Sequence, residues 1–328
     1  MPGIPLSLRR AGAAAVALVA AAGLLVAMAG WGGGGGGPPA TAALHGQPGP
    51  LTRAGCAGGG PAAREFTLRL PSPDGVRTAT VRVPATAAGH AAPLLVALHG
   101  GGDTGAQMEA SSGLKAVADA AGFLVAFPDA TGAHRYWNLD ERHGPDDVGF
   151  VAALVDRVAA RACVDPHRIV AAGLSNGGGL AARLACALSG RIAGVVVVAG
   201  TVAHVPECGP GRPVSVLEIH GSADPHVPYT GDPATGAGAI RDWLADWATR
   251  DRCPGAPTHR TVGRTVRALE WDRCADGTRV AHLELLGGRH EWPGASPPDP
   301  GRPPSPISAA AQVRRFLASI PVRPGDQG

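Results

Sequence analysis

Lysine is almost absent from this chain of 328 residues: Lys115 is the only one among 29 basic side chains, and the rest are arginines scattered along the sequence. With a formal net charge of only +3, no basic stripe forms that could track a phosphate backbone, so no nucleic-acid partner is expected. Aromatic residues are also scarce, at 4%, against abundant Ala, Gly, Arg and Pro; that balance reads as a GC-rich coding bias and carries little functional information. None of the six cysteines stands in a C-x-x-C pair, which removes the commonest dithiol pattern. His134, Asp140, Glu141 and His143 lie close together, but their spacing matches no compact ligand motif, so neither a metal nor another cofactor is expected.

A long apolar run occurs once, over 11–29, behind Arg9-Arg10 and closing on Ala27-Met28-Ala29. Its alanine richness and A-x-A end read as a secretory signal over 1–29; the competing reading is a membrane anchor, since the run approaches the ~20 residues a spanning helix needs. The arginine pair also fits a twin-arginine route, whereas Cys56 lies too far downstream for a lipobox. Residues 30–63 are rich in Gly and Pro and read as a flexible tether without packed structure. The compact domain is expected over 64–320, with 321–328 as a disordered tail. Hydrophobic residues make up 45% of the chain and are spread evenly, which suits one sizeable core. An even number of cysteines in an exported protein points to disulfides. Cys253 and Cys274 flank a hairpin-like stretch and form the expected pair, while Cys186 reads either as a bridge or as a buried thiol.

Strand and helix signals alternate along the domain. Strands are expected at 65–70, 94–98, 123–127, 169–173, 194–198, 214–219 and 281–286, and helices around 108–121, after Asp146-Asp147, and at 239–249 and 307–320. The acidic pair supplies an N-terminal cap, and Val148, Val151, Leu154, Val155 and Val158 mark the buried face of its helix. Such alternation predicts an α/β fold with a mainly parallel sheet and helices on both faces, whose reactive groups gather at the carboxyl ends of the strands.

One of those ends carries Gly173-Leu-Ser-Asn-Gly177 between an apolar strand and an Ala/Leu-rich helix, the pattern of a nucleophile elbow. Ser175 is then the nucleophile, and the Asn176 amide, at the helix start, an oxyanion donor. A serine hydroxyl needs a base, and the base needs an acid to fix its tautomer. His290 follows the strand at 281–286 and Asp224 follows that at 214–219, giving the order Ser175, Asp224, His290 expected of α/β-hydrolases. His226 is the nearest rival base, and Asp232 and Asp272 are rival acids. The loop His99-Gly-Gly-Gly102 supplies the second oxyanion amide, from Gly101 or alternatively Gly102, with His99 itself tying loops together.

Taken together, Leu98-His-Gly-Gly101, Trp137-Asn138, Asp146-Asp-Val-Gly-Phe150, the elbow, His220-Gly-Ser-Ala-Asp-Pro225 and Gly288-Arg-His-Glu-Trp-Pro-Gly294 resemble the secreted polyhydroxybutyrate depolymerase and feruloyl esterase group of α/β-hydrolases across 64–320. The resemblance implies the same triad, with Trp137 and Trp292 bordering the substrate cleft. It further implies a secreted serine carboxylesterase, acting on a polyester oligomer or a plant cell-wall ester, extracellular, monomeric and without stable membrane association after signal cleavage. With the last expected helix close to the end of the sequence, the linker and polymer-binding domain often carried by depolymerases of solid polyester are not expected, which leaves soluble aryl or oligomeric esters open. Acetyl xylan esterase, peptidase and acyltransferase chemistry on the same triad, or a silent binding module on a hydrolase fold, are the alternatives.

Overall fold

A computed structural model describes residues 51, 55–56, 63–140, 143–202, 209, 211–297 and 303–321. The signal at 1–29, most of the tether at 30–63 and nearly all of the tail at 321–328 lie outside the described residues. In chain order the strands are β1 (Arg64–Ser72), β2 (Gly75–Val83), β3 (Ala92–Leu98), β4 (Leu124–Pro128), β5 (Val164–Leu174), β6 (Gly194–Val198), β7 (Ser215–Gly221), β8 (Thr258–Val262), β9 (Val266–Trp271) and β10 (Val280–Leu285). The helices are α1 (Gly105–Ser112), α2 (Leu114–Ala121), α3 (Asp147–Ala159), α4 (Asn176–Ala187), α5 (Ile240–Arg250) and α6 (Ala309–Ala318).

The strands lie side by side as β1-β2-β4-β3-β5-β6-β7-β10-β9-β8. From β4 to β10 each neighbour runs parallel to the next, and an antiparallel hairpin completes each edge. Every residue of β3 and β6 is buried, as a parallel strand covered on both faces requires. Alternate residues face opposite layers. Leu94, Val96, Val195 and Val197 pack with Leu154 of α3, Leu184 of α4 and Trp247 of α5, whereas Leu95, Ala97, Val196 and Val198 pack with Met108, Leu114 and Phe316 of α1, α2 and α6. Burying side chains of this size contributes roughly 1.5–3 kcal/mol each.

The expected mainly parallel sheet with helices on both faces is therefore what forms. The helix expected over 108–121 is instead two, because Gly113 adopts φ 73° and ends α1 before α2 begins. Asp146 caps α3 as anticipated, its carboxylate accepting from the Gly149 amide at 2.7 Å. The expected Cys253–Cys274 bridge is present and closes the β8–β9 hairpin. The tether needs a correction at one place: Cys56 is bonded to Cys163 at the start of β5. Around it, Leu51 packs on the core and Gly55 lies so close to the Ala159–Ala162 turn that a Cβ would collide with the Ala162 backbone. Cys186 is also disulfide-bonded, so it is not a buried thiol.

Candidate active site

At the end of β5, Ser175 takes φ 55° and ψ −119°, a conformation that an L-residue holds only at a cost of about 1–3 kcal/mol. Its backbone is fixed by three bonds. The Ser175 amide donates to Val198 O at 2.9 Å, and its carbonyl accepts from Gly179 at 3.0 Å and Thr201 at 3.2 Å. Side chains at Gly173 or Gly177 would collide with the Gly177 and His99 carbonyls respectively, so the turn closes only with glycine at both places. Asn176 opens α4, where first-turn amides lack helical acceptors and the dipole end is positive.

The loop after β3 crosses in front of this turn. His99 donates from Nδ1 to Gly100 O at 2.7 Å and accepts at Nε2 from the Ala130 amide at 3.0 Å, so the ring is neutral; burial pushes its pKa down accordingly. The His99 carbonyl accepts from Trp137 Nε1 at 2.9 Å, which makes this residue a tie between loops. The Gly102 amide is engaged by Arg135 O at 3.3 Å.

Trp137 and Trp292 do not present open faces. They are 2% and 4% exposed, and Trp292 donates its indole N–H to Ser112 O at 3.0 Å. Both indole N–H groups find main-chain acceptors beneath the surface, where the large apolar rings gain most from burial, while Trp292 still borders the cavity beside His290. The exposed aromatic residue beside the loop is Tyr136, at 58%, whose ring occupies the space a Cβ on Gly101 would need. Sequence reasoning missed it, because in the pair Tyr136-Trp137 nothing marks which ring turns outward.

Trp137 also clamps the elbow through its backbone: its N–H donates to Asn176 Oδ1 at 2.6 Å and its carbonyl accepts from Asn176 Nδ2 at 3.0 Å. The adjacent Asn138 amide donates to Asp147 Oδ2 at 2.6 Å, and Asp147 Oδ1 meets the Arg77 guanidinium at 2.5 Å. Arg77 lies 3.6 Å from the Phe150 ring centroid, and both charges are buried. Burial raises the Asp147 pKa against the pull of Arg77. Arg77→Met should therefore leave a lone buried carboxylate and lower unfolding stability in urea by about 3–5 kcal/mol. Adding Asp147→Asn should recover much of that loss; equal stability of both variants would show that the charge is not the cause.

Asp224 follows β7 and His290 follows β10, its parallel neighbour. The two loops are stitched by Ser222 N to Leu285 O, Ala223 N to Gly288 O and Gly287 N to Ser222 Oγ, each 2.9 Å. His290 Nδ1 donates to Asp224 Oδ2 at 2.8 Å, and Asp224 Oδ1 accepts from the amides of His226 at 2.8 Å and Val227 at 2.9 Å. Burial opposes ionisation of Asp224, yet hydrogen bonds from His220, His290 and those amides hold its pKa well below the usual carboxylate range. Donation from Nδ1 leaves the lone pair of a neutral His290 on Nε2. Of the rivals, the exposed His226 ring flanks His290 edge-on at 5.1 Å, Asp232 accepts from Ala234 within its own turn, and Asp272 is exposed beside Arg273. His143 Nδ1 lies 3.2 Å from Asp140 Oδ2, and among the described residues no group of three or more His, Cys, Asp or Glu side chains is arranged to hold a metal ion. A cavity of about 660 Å³ opens from His290 along Trp292, Pro303, Pro304 and Ile307.

The family described as esterase PHB depolymerase matches residues 78–210. NocK of Nocardia uniformis subsp. tsuyamanensis, named as an esterase, is 36% identical over 234 residues, 63% of this chain and 67% of its own length. Feruloyl esterase B of Piromyces equi is 32% identical over 219 residues, 61% of this chain, and the match spans 40% of that protein. Acetyl xylan esterase from Aspergillus awamori superposes with a TM-score of 0.56 at 13% identity, over 77% of this chain and 99% of that one. An S-formylglutathione hydrolase from Agrobacterium tumefaciens gives 0.55 at 13% identity, over 80% and 98%. At that identity the two solved structures speak for the α/β-hydrolase fold alone. Joined to the family match and the NocK likeness, they place the strand ends described above in a known lineage: the chain belongs to the esterase PHB depolymerase and feruloyl esterase family of α/β-hydrolases.

Proposed function

We propose that this esterase is a secreted serine carboxylester hydrolase working through an acyl-enzyme on Ser175. The observation that carries the reading is the 2.8 Å His290–Asp224 bond at the same sheet end as a serine in a strained elbow. Ser175 Oγ attacks the ester carbonyl and forms the new C–O bond while His290 Nε2 takes its proton. The Asn176 and Gly101 amides hold the oxyanion, Gly101 being preferred because the Gly102 amide already has a partner. Collapse breaks the bond to the alcohol oxygen, which receives the proton from His290, and water then releases the acid by the same steps in the second half. Export is supported by the leader-like residues 1–29 and by the disulfides, which persist in oxidising compartments. Among esters, a hydroxybutyrate oligomer or a feruloyl-type ester fits the family, with the cavity beside His290 receiving one side of the substrate.

A fluorophosphonate probe should label the protein at Ser175, and the labelled protein should no longer hydrolyse hydroxybutyrate oligomers, methyl ferulate or acetylated xylan. Whichever of the three turns over fastest before labelling identifies the acyl class. Absence of labelling on a folded, ester-cleaving sample would contradict the serine mechanism.

A further inference from the structure

Behind the triad, the sheet carries charge where a strand buried on both faces ordinarily holds none. On β7, Glu218 and His220 alternate with Leu217 and Ile219, and they are 0% and 1% exposed. His220 Nδ1 donates to Glu218 Oε1 at 2.8 Å. Its Nε2 donates to Val227 O at 2.9 Å and stands 3.4 Å from Asp224 Oδ2. Val227 O can only accept, which places a proton on Nε2, and an ionised Glu218 carboxylate takes one from Nδ1, so the ring carries a positive charge. Burial opposes that charge, but the Glu218 carboxylate and the bond to Asp224 outweigh it and raise the His220 pKa to about 10. Burial likewise acts against the Glu218 anion, and His220 and His282 overcome it, holding its pKa below the ordinary value. His282 on β10 closes the far side, with Nδ1 2.6 Å from Glu218 Oε2 and Nε2 accepting from the Tyr229 hydroxyl at 3.0 Å.

We propose that His220, held as an imidazolium by Glu218, is a positioning residue for the esterase site: it pins the Asp224 carboxylate opposite His290 and shares its negative charge. The proposal rests on reading Ser175, His290 and Asp224 as nucleophile, base and acid. An unshared Asp224 charge would act in full on the His290 ring. Dividing that charge with a second cation weakens the pull. The same contact fixes the carboxylate in place. Oδ1 is held by two amides and Oδ2 lies between two imidazoles, so rotation of the acid would break bonds on both sides.

Titratable and charged groups around this cluster include His226, edge-on to His290; Tyr229, whose ring centre is 6.0 Å from that of His220; His282; Glu284, opposite His220 in the β7–β10 register; Arg267, 3.5 Å from Glu284; Arg241 on α5; and Arg289 and Glu291, on either side of His290 in the chain. Among the described residues, only His220 and His290 bring a side chain onto the Asp224 carboxylate. The charge that the Asp224 carboxylate presents to His290 is therefore set chiefly by His220.

The test is the pH dependence of kcat and kcat/KM on p-nitrophenyl acetate for the full chain and for the variants His220→Gln, Glu218→Gln and the double variant, with Ser175→Ala alongside. His220→Gln should move the acid limb of kcat/KM upward by about one pH unit and lower kcat about tenfold or more at unchanged KM. Glu218→Gln should do the same, because it removes what keeps His220 charged. The double variant should then reproduce either single shift and not their sum. His220→Gln alone leaves Glu218 buried without a cation; if it does not fold, the double variant, in which both charges are gone and amides keep hydrogen-bonding capacity, carries the test. An acid limb of the double variant superimposed on that of the wild type, with Ser175→Ala inactive, overturns the proposal and leaves the triad reading standing. Undiminished turnover by Ser175→Ala overturns the triad reading itself.

Discussion

Ser175→Ala should lower kcat by about 10⁶-fold, the loss expected when the nucleophile leaves a serine hydrolase, while KM stays close to the wild-type value. The change removes only the Oγ proposed to form the acyl bond. The Asn176 amide stays at the head of α4, because the elbow is set by the bonds of Ser175 N to Val198 and of its carbonyl to Gly179 and Thr201, none of which involves the hydroxyl. A residual rate above the uncatalysed reaction should survive from the oxyanion donors and substrate positioning. Alanine relieves none of the strain at φ 55°, so its stability should match the wild type, whereas Ser175→Gly should be equally inactive and more stable by about 1 kcal/mol. Steady-state turnover and urea unfolding of the three proteins check both halves. An alanine variant within a hundredfold of wild-type turnover would mean that another group is the nucleophile.

The placement of the proposed triad was more legible in the sequence than its support. The elbow announces itself because a strand, a serine between glycines and a helix must occur together, and the geometry explains both glycines: each lies against a carbonyl that a Cβ would strike. Asp224 and His290 were readable because parallel strands all deliver their loops to one end of the sheet. The break at Gly113 was not, since a single glycine inside a helical pattern is often tolerated, and only the packed structure gives it φ 73°. That the indole N–H groups of Trp137 and Trp292 turn inward onto carbonyls, with Trp292 still lining the cavity beside His290, is seen only in three dimensions. Glu218 and His220 were overlooked for a physical reason. Polar residues alternating with Leu217 and Ile219 imitate the solvent face of an edge strand, but β7 sits between β6 and β10 with both faces covered. A Glu and a His at alternate positions of a central parallel strand are a signal of a buried network, and that signal was available once the strand order was inferred.

Asp224→Asn should lower kcat by about 10⁴-fold with the fold intact. The reason lies in the company the carboxylate keeps. Its four contacts, the amides of His226 and Val227 on Oδ1 and the rings of His290 and His220 on Oδ2, are all hydrogen-bond donors. An asparagine has one oxygen to offer, and its NH₂ must face donors on the other side. With the oxygen kept toward the two main-chain amides, the NH₂ points at His290 Nδ1, which can then form a bond only as an acceptor. That moves the imidazole proton to Nε2, and the lone pair proposed to take the Ser175 proton is lost. With the side chain flipped, two amide bonds break and the loop carrying Asp224 loosens. Either way the carboxylate proposed to stabilise the His290 imidazolium in the transition state is gone, whereas the bulk of the cavity is untouched, so the loss should fall on kcat and spare KM. NMR of the imidazole nitrogens should show protonation moving from Nδ1 to Nε2 of His290 in the Asn variant. A variant that keeps its activity within tenfold and its Nδ1 proton would show that His290 takes its tautomer from some group other than Asp224.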